Sequence, residues 1–185
     1  MKQKSLSSVF TALFAALICA GSDMTIPVGP VPIVLQNAFA ILAGLLLGPL
    51  QGAGAVGLFL LAGALGLPVF SGGKGGFAVI TGPTGGYLIG YFLGALVAGF
   101  AVERASKTNI KDALPIIISA TIAGFVCIYI PGVMVLRKNL GLSLPGALAK
   151  GFTPFLIADA IKIVALIPIT AKLRPIVARY LHPDA

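Results

Sequence analysis

The feature that most constrains this chain is a succession of long, uncharged apolar runs separated by short polar breaks. Crossing the hydrocarbon core takes roughly 17 to 25 mostly apolar residues in a helix, because a backbone out of reach of water must satisfy its own hydrogen bonds. Six stretches have that length and character: residues 5–21, 32–48, 50–67, 84–102, 113–136 and 145–171, the second and third divided only by Gly48 and Pro49. The expectation is an all-α membrane protein, a six-transmembrane-helix bundle forming one integral domain over residues 1–185. Composition agrees, since a chain that is 58% hydrophobic and 10% charged has more apolar surface than a soluble domain of 185 residues can hide. Lys2 and Lys4 before the apolar stretch from Val9 to Ala20 have the outline of a secretory signal. No small-x-small cleavage site follows, so the stretch reads as the first span.

The charges decide the orientation. Thirteen Lys and Arg stand against five Asp and Glu, but they are too scattered for the clustered phosphate contacts of a nucleic-acid binder. They flank the apolar runs instead, as the positive-inside rule describes. One face takes Lys2, Lys4, Arg104, Lys107, Lys111, Lys172, Arg174 and Arg179, whereas the other has Lys74, Arg137, Lys138 and Lys150. Both termini are therefore expected in the cytoplasm of a multi-pass protein of the plasma membrane. The outer segments are 22–31, 68–83 and 137–144, the first two rich in Gly and Pro, a pattern that suggests a lid over an outward-facing pocket. Cys19 and Cys127 lie in apolar runs and match no metal or disulfide spacing.

Small residues at four-residue spacing predict close helix packing, because helices in lipid associate through backbone approach rather than through a hydrophobic force. Gly82, Gly86, Gly90 and Gly94 form one such stripe, Gly44, Gly48 and Gly52 a second, and Ala12, Ala16 and Ala20 a third. The alanine stripe suits either internal packing or the docking of a partner. The segment from Gly66 to Gly76 resembles a phosphate loop but fails the Walker pattern at Pro68 and Gly75. Its Lys74 is either a solvated loop cation or a clamp for a ligand carboxylate.

Asp159 and Lys162 interrupt the sixth span three residues apart, which puts them on one helical face. A charge at mid-bilayer costs about 2.5 to 3.5 kcal/mol on insertion scales, so two in one stretch point to a ligand site ahead of a purely structural ion pair. Pro154 and Pro168 are expected to kink the same span beside them. Tyr87, Gln36 and Asn37 are further polar groups able to face this half of the bundle. A carboxylate beside an ammonium suits a neutral amide-like or urea-like ligand, a zwitterion or a proton. There is one histidine, His182, no second carboxylate stands near Asp159 to make an acid/base pair, and no hydrolase or nucleotide-binding motif is present. The alternatives left open are a proton-coupled carrier titrating Asp159 and an intramembrane enzyme needing a second catalytic group.

The runs Val31-Pro-Ile-Val-Leu-Gln-Asn37, Leu42-Ala-Gly-Leu-Leu-Leu-Gly-Pro49, Gly66-Leu-Pro-Val-Phe-Ser-Gly-Gly73 and Gly82-Pro-Thr-Gly-Gly-Tyr87, with Asp159-x-x-Lys162 after them, resemble the BioY family. These are the biotin-specific S components of energy-coupling factor transporters, and the resemblance covers nearly the whole chain in order. It implies six helices, a loop-capped biotin pocket at the extracellular side, and no cofactor. It also implies partners: a transmembrane coupling subunit and two ATPase subunits, which would spend the ATP. By the same resemblance Asp159 and Lys162 meet the ureido ring of biotin and Ala12, Ala16 and Ala20 dock on the coupling subunit. Lys74 for the valerate carboxylate and Tyr87 against the rings follow from position and chemistry. Another ring-containing vitamin is the residual substrate alternative.

Overall fold

A computed structural model describes residues 2–106 and 110–181, so Lys107 and His182 lie outside the described residues. The elements in chain order are α1 (Lys2–Ala20), a hairpin of β1 (Thr25–Ile26) and β2 (Ile33–Val34), α2 (Gln36–Leu47), α3 (Pro49–Ala64), α4 (Phe77–Thr81), α5 (Gly85–Val102), α6 (Ile110–Leu140), α7 (Leu144–Gly151) and α8 (Leu156–Leu181). Among the described residues three stretches are long and apolar enough to cross a bilayer: Gly85–Val102, Lys111–Leu140 and Leu144–Leu181. Leu6–Ala20, Gln36–Leu47 and Pro49–Ala64 are apolar but shorter.

Two predicted spans differ from their helices. The second is helical only from Gln36, because Ile33 and Val34 pair antiparallel with Ile26 and Thr25 in the hairpin. The sixth is two helices. Ser143 caps α7 by accepting from the Gly146 N–H at 3.3 Å, and a 3₁₀ turn at Thr153–Phe155, with Pro154 inside it, then separates α7 from α8. Proline lacks the N–H that would continue the ladder, so the chain turns there, whereas Pro168 stays within α8. Residues 137–140, expected in an outer segment, complete the last turn of α6.

Between α2 and α3 the break is local chemistry. Gly48 takes φ +84°, a conformation costly for other residues, and Pro49 supplies the first turn of α3. The glycine stripes pack the bundle from within. A Cβ on Gly90 would stand 2.6 Å from the Ile128 carbonyl oxygen and one on Gly94 2.8 Å from that of Gly124, so α5 lies backbone-to-backbone on α6. Gly44 meets α5 at Ala95 in the same way, and a Cβ on Gly52 would stand 2.5 Å from the Gly44 Cα. The opposite faces carry exposed apolar side chains at helical spacing: Ile89, Leu93, Val97 and Phe100 on α5, Ile122, Val126, Ile130 and Met134 on α6, and Ile157, Ile161 and Val164 on α8. Such stripes are costly in water and suited to lipid. The inward faces bury Ile18, Ile41, Leu45, Val56, Phe59, Ile117 and Leu136 as one core.

Candidate ligand site

The inward face of α8 brings Asp159 into the core while Ile157 and Ile161 on either side point outward. An unpartnered carboxylate is costly in such a place, and three groups meet this one. Lys162, one helical turn on, forms an ion pair with Asp159 Oδ1 at 2.8 Å, both side chains nearly buried. The first turn of α2 supplies Asn37, whose Nδ2 donates to the same oxygen at 3.1 Å and whose Oδ1 accepts from Lys162 Nζ at 3.0 Å and from the Ala38 N–H at 2.9 Å. From α6 the Tyr129 hydroxyl donates to Asp159 Oδ2. Three helices distant in sequence are thereby tied to one carboxylate.

Hydrogen-bond capacity can be counted at this cluster. A carboxylate offers about four lone-pair sites, an ammonium three donors and a primary amide two donors and two acceptor sites. After the bonds above, Asp159 Oδ2 has one acceptor site left, Lys162 Nζ one donor and Asn37 Nδ2 one donor. One acceptor beside two donors is the complement of a group carrying an N–H next to a carbonyl.

Aromatic rings form the walls. Tyr129 stands edge-on to Phe152 at 4.8 Å and to Tyr87 at 6.2 Å between centroids. Tyr87 sends its hydroxyl to the Gly151 carbonyl at 2.8 Å, so this predicted site residue also locks α5 to the end of α7. A cavity of about 20 Å³ touches Asn37, Lys162, Tyr129, Phe155, Tyr87 and Tyr91. A second, of about 80 Å³, shares Val31, Pro32, Val34, Tyr87 and Tyr91 with it and reaches Gln36, Phe70, Ser71, Thr84 and Lys74. The two form one polar-to-apolar track from the buried cluster to the loops. Lys74 is exposed at its outer end, held by paired backbone bonds between its own residue and Phe70 at 2.9 and 3.1 Å.

Segments 22–31 and 68–83 border this track, and hydrogen bonds hold them in place. Gln36 donates from Nε2 to the Val69 carbonyl at 2.9 Å, and the Thr25 and Ser71 hydroxyls bond at 3.1 Å. Gln36, predicted to meet a ligand, thus borders the cavity but uses its amide to tie the loop down. Phe70 enters the core and stands edge-on to Phe59 at 5.4 Å, in the space that Gly63 leaves free.

Ala12, Ala16 and Ala20 line neither of these cavities. All three are exposed, with Val9 and Leu13 beside them, while Phe14 and Ile18 face inward. A separate cavity of about 340 Å³ is at the opposite end of α2, α5 and α8 and touches none of the predicted ligand residues. There Arg174, first read as a flanking cation, is buried and donates to the Val102, Ala105 and Ser106 carbonyls at 2.8, 2.9 and 3.3 Å. It closes the C-terminal end of α5, whose last carbonyls lack helical partners.

Sequence reasoning missed Tyr129 and Tyr91. Tyr91 had a readable signal, one helical turn after Tyr87 on the same face. For Tyr129 the signal was weaker, a hydroxyl in the apolar run from Phe125 to Pro131.

Similarity to known proteins is extensive. The model of the BioY family matches residues 1–179. A biotin transporter of Thermotoga maritima is 41% identical over 162 residues, 88% of this chain and 92% of that one. One from Rhodobacter capsulatus is 41% identical over 184 residues, 94% and 93% of the two chains. A crystal structure of the S-component for biotin from an ECF-type ABC transporter superposes with a TM-score of 0.82 at 32% identity, covering 93% of this chain and 92% of the other.

Proposed function

The chain belongs to the BioY family, and from that premise we propose that it is a multi-pass membrane subunit that binds biotin for uptake, energised by separate partner subunits. The observation that carries the reading beyond family membership is the residual hydrogen-bonding capacity around Asp159. Biotin's ureido ring presents N–H donors beside a carbonyl with two lone pairs. Asp159 Oδ2 accepts from one ureido N–H, and Lys162 and Asn37 donate to the carbonyl, so the buried charges gain partners when the ligand enters. Tyr91 and Tyr129 flank the rings together with Tyr87, and Lys74 at the loop end meets the valerate carboxylate.

Two cavities of about 80 and 20 Å³ are small beside the roughly 300 Å³ of an ordinary ligand pocket. Entry therefore requires the loops to part. The Gln36 to Val69 and Thr25 to Ser71 bonds are the latches that release and re-form. Both termini lie in the cytoplasm, with the loops outside. A coupling subunit docks on the exposed Ala12, Ala16 and Ala20 face of α1, and two ATPase subunits supply the energy, so this chain needs no catalytic group of its own.

Calorimetry of biotin with the purified chain tests the site. Asp159→Asn and Lys162→Met are each expected to weaken binding by roughly a hundredfold or more, since each leaves a buried charge or amide without its partner. Undiminished binding in folded variants would make the pair structural, and no binding by the unmodified chain would overturn biotin as the ligand.

A further inference from the structure

Four exposed cations stand at the end of the bundle where the cavity meets the loops. Lys74 lines the cavity itself. Lys150 directly precedes Gly151, whose carbonyl holds the Tyr87 hydroxyl of the cavity wall. Leu136 presses on the same glycine, where a Cβ would lie 2.5 Å from its Cδ2, and Arg137 and Lys138 follow it in the last turn of α6. The side chains of Arg137, Lys138 and Lys150 make no ion pair or hydrogen bond among the described residues. Acidic groups do not offset them. Asp159 is paired with Lys162, and Glu103 and Asp112 lie at the other end, leaving Asp23 as the one acid among the described residues near the loops.

All four side chains are exposed, and the positive-inside rule disfavours basic residues on the outer face. Like charges set around an opening in a low-dielectric slab reinforce one another and raise the local concentration of an anion. Resting on the biotin reading, we propose that Arg137, Lys138 and Lys150 act with Lys74 as an electrostatic funnel that selects the carboxylate form of the ligand and accelerates its capture. Arg137, Lys138 and Lys150 line neither cavity, so they set the association rate and leave the dissociation rate to the buried cluster.

The chain has no Trp and four Tyr, of which Tyr87, Tyr91 and Tyr129 border the cavity, so stopped-flow tyrosine fluorescence reports ligand arrival directly. The measurement uses the full chain in nanodiscs of zwitterionic lipid, which adds no anionic headgroups to compete. For biotin, the association rate is expected to fall about tenfold between about 0.01 and 1 M salt, as the Debye length shrinks from about 30 to 3 Å. The triple variant Arg137→Gln, Lys138→Gln, Lys150→Gln is expected to lose about threefold or more of the low-salt rate and most of the salt dependence, with dissociation unchanged. Biotin methyl ester, which lacks the charge, is expected to bind at a rate indifferent to salt in both proteins. Equal low-salt rates for variant and unmodified chain, or equal salt dependence for acid and ester, would overturn the funnel alone. Failure of the unmodified chain to bind biotin would overturn the reading beneath it and the funnel with it.

Discussion

At Asp159 a single carboxylate organises groups from α2, α6 and α8, and its neighbours differ in how much each contributes. Tyr129→Phe keeps the ring against Phe152 and removes one hydroxyl, so biotin affinity should fall about tenfold, near the value of one charge-assisted hydrogen bond. In Asp159→Asn the same change should cost much less, because the partner has already lost its charge; a double-mutant cycle by calorimetry measures that coupling. Arg174 belongs to the opposite end and to stability alone. Arg174→Met would strand three carbonyls of the α5 end, and a loss of about 3 kcal/mol in thermal or denaturant stability is expected with biotin affinity retained. The Asp159 and Lys162 pair was legible in sequence because charges in an apolar span are conspicuous by cost. Tyr129 was not, because a tyrosine in a span is ordinary until its hydroxyl is seen to have a carboxylate beside it.

Among the elements, the glycine stripes separate residues that sequence alone treats alike. Gly90 and Gly57 both sit inside apolar helices, yet a Cβ on Gly90 would strike the Ile128 carbonyl at 2.6 Å, whereas one on Gly57 would meet only Phe92 Cε2 at an ordinary 3.8 Å. Gly90→Ala should therefore destabilise by about 1 to 3 kcal/mol as α5 is forced off α6. Gly57→Ala should be neutral or stabilising by about 0.5 kcal/mol, through reduced backbone entropy in the unfolded chain. Thermal melts of both variants in one detergent compare them directly. The break between α2 and α3 was readable from Gly48 and Pro49, since their backbone preferences are intrinsic. The hairpin before α2 and the split of the sixth span were not. Two-residue strands carry no periodicity to detect, and Pro154 marks a break without saying whether the helix bends or stops.

For the whole molecule, the bundle presents two kinds of apolar surface, and they predict different losses. The Leu and Ile stripes of α5, α6 and α8 have bulk suited to fluid lipid, while the Ala12, Ala16 and Ala20 face of α1 is smooth enough for another helix to approach closely. Ala12→Trp with Ala16→Trp should abolish biotin uptake in cells that supply the energising subunits and leave biotin binding by the purified chain unchanged. A fall in both would place this face in the chain's own folding instead. Apolar run length alone determined that the chain is a helical membrane bundle, because unpaired backbone in hydrocarbon permits few other solutions. The two conspicuous charges of the sixth span likewise located the polar centre, since their insertion cost demands a use. Only the tertiary structure decided what surrounds that centre. Asn37 and Tyr129 reach Asp159 across 122 and 30 residues of chain, and Gln36 ties a loop 33 residues away instead of facing the cluster. No local propensity encodes such distances: partners of a buried charge are chosen by how helices stack, and the glycines set that stacking through contacts that exist only once the bundle has closed.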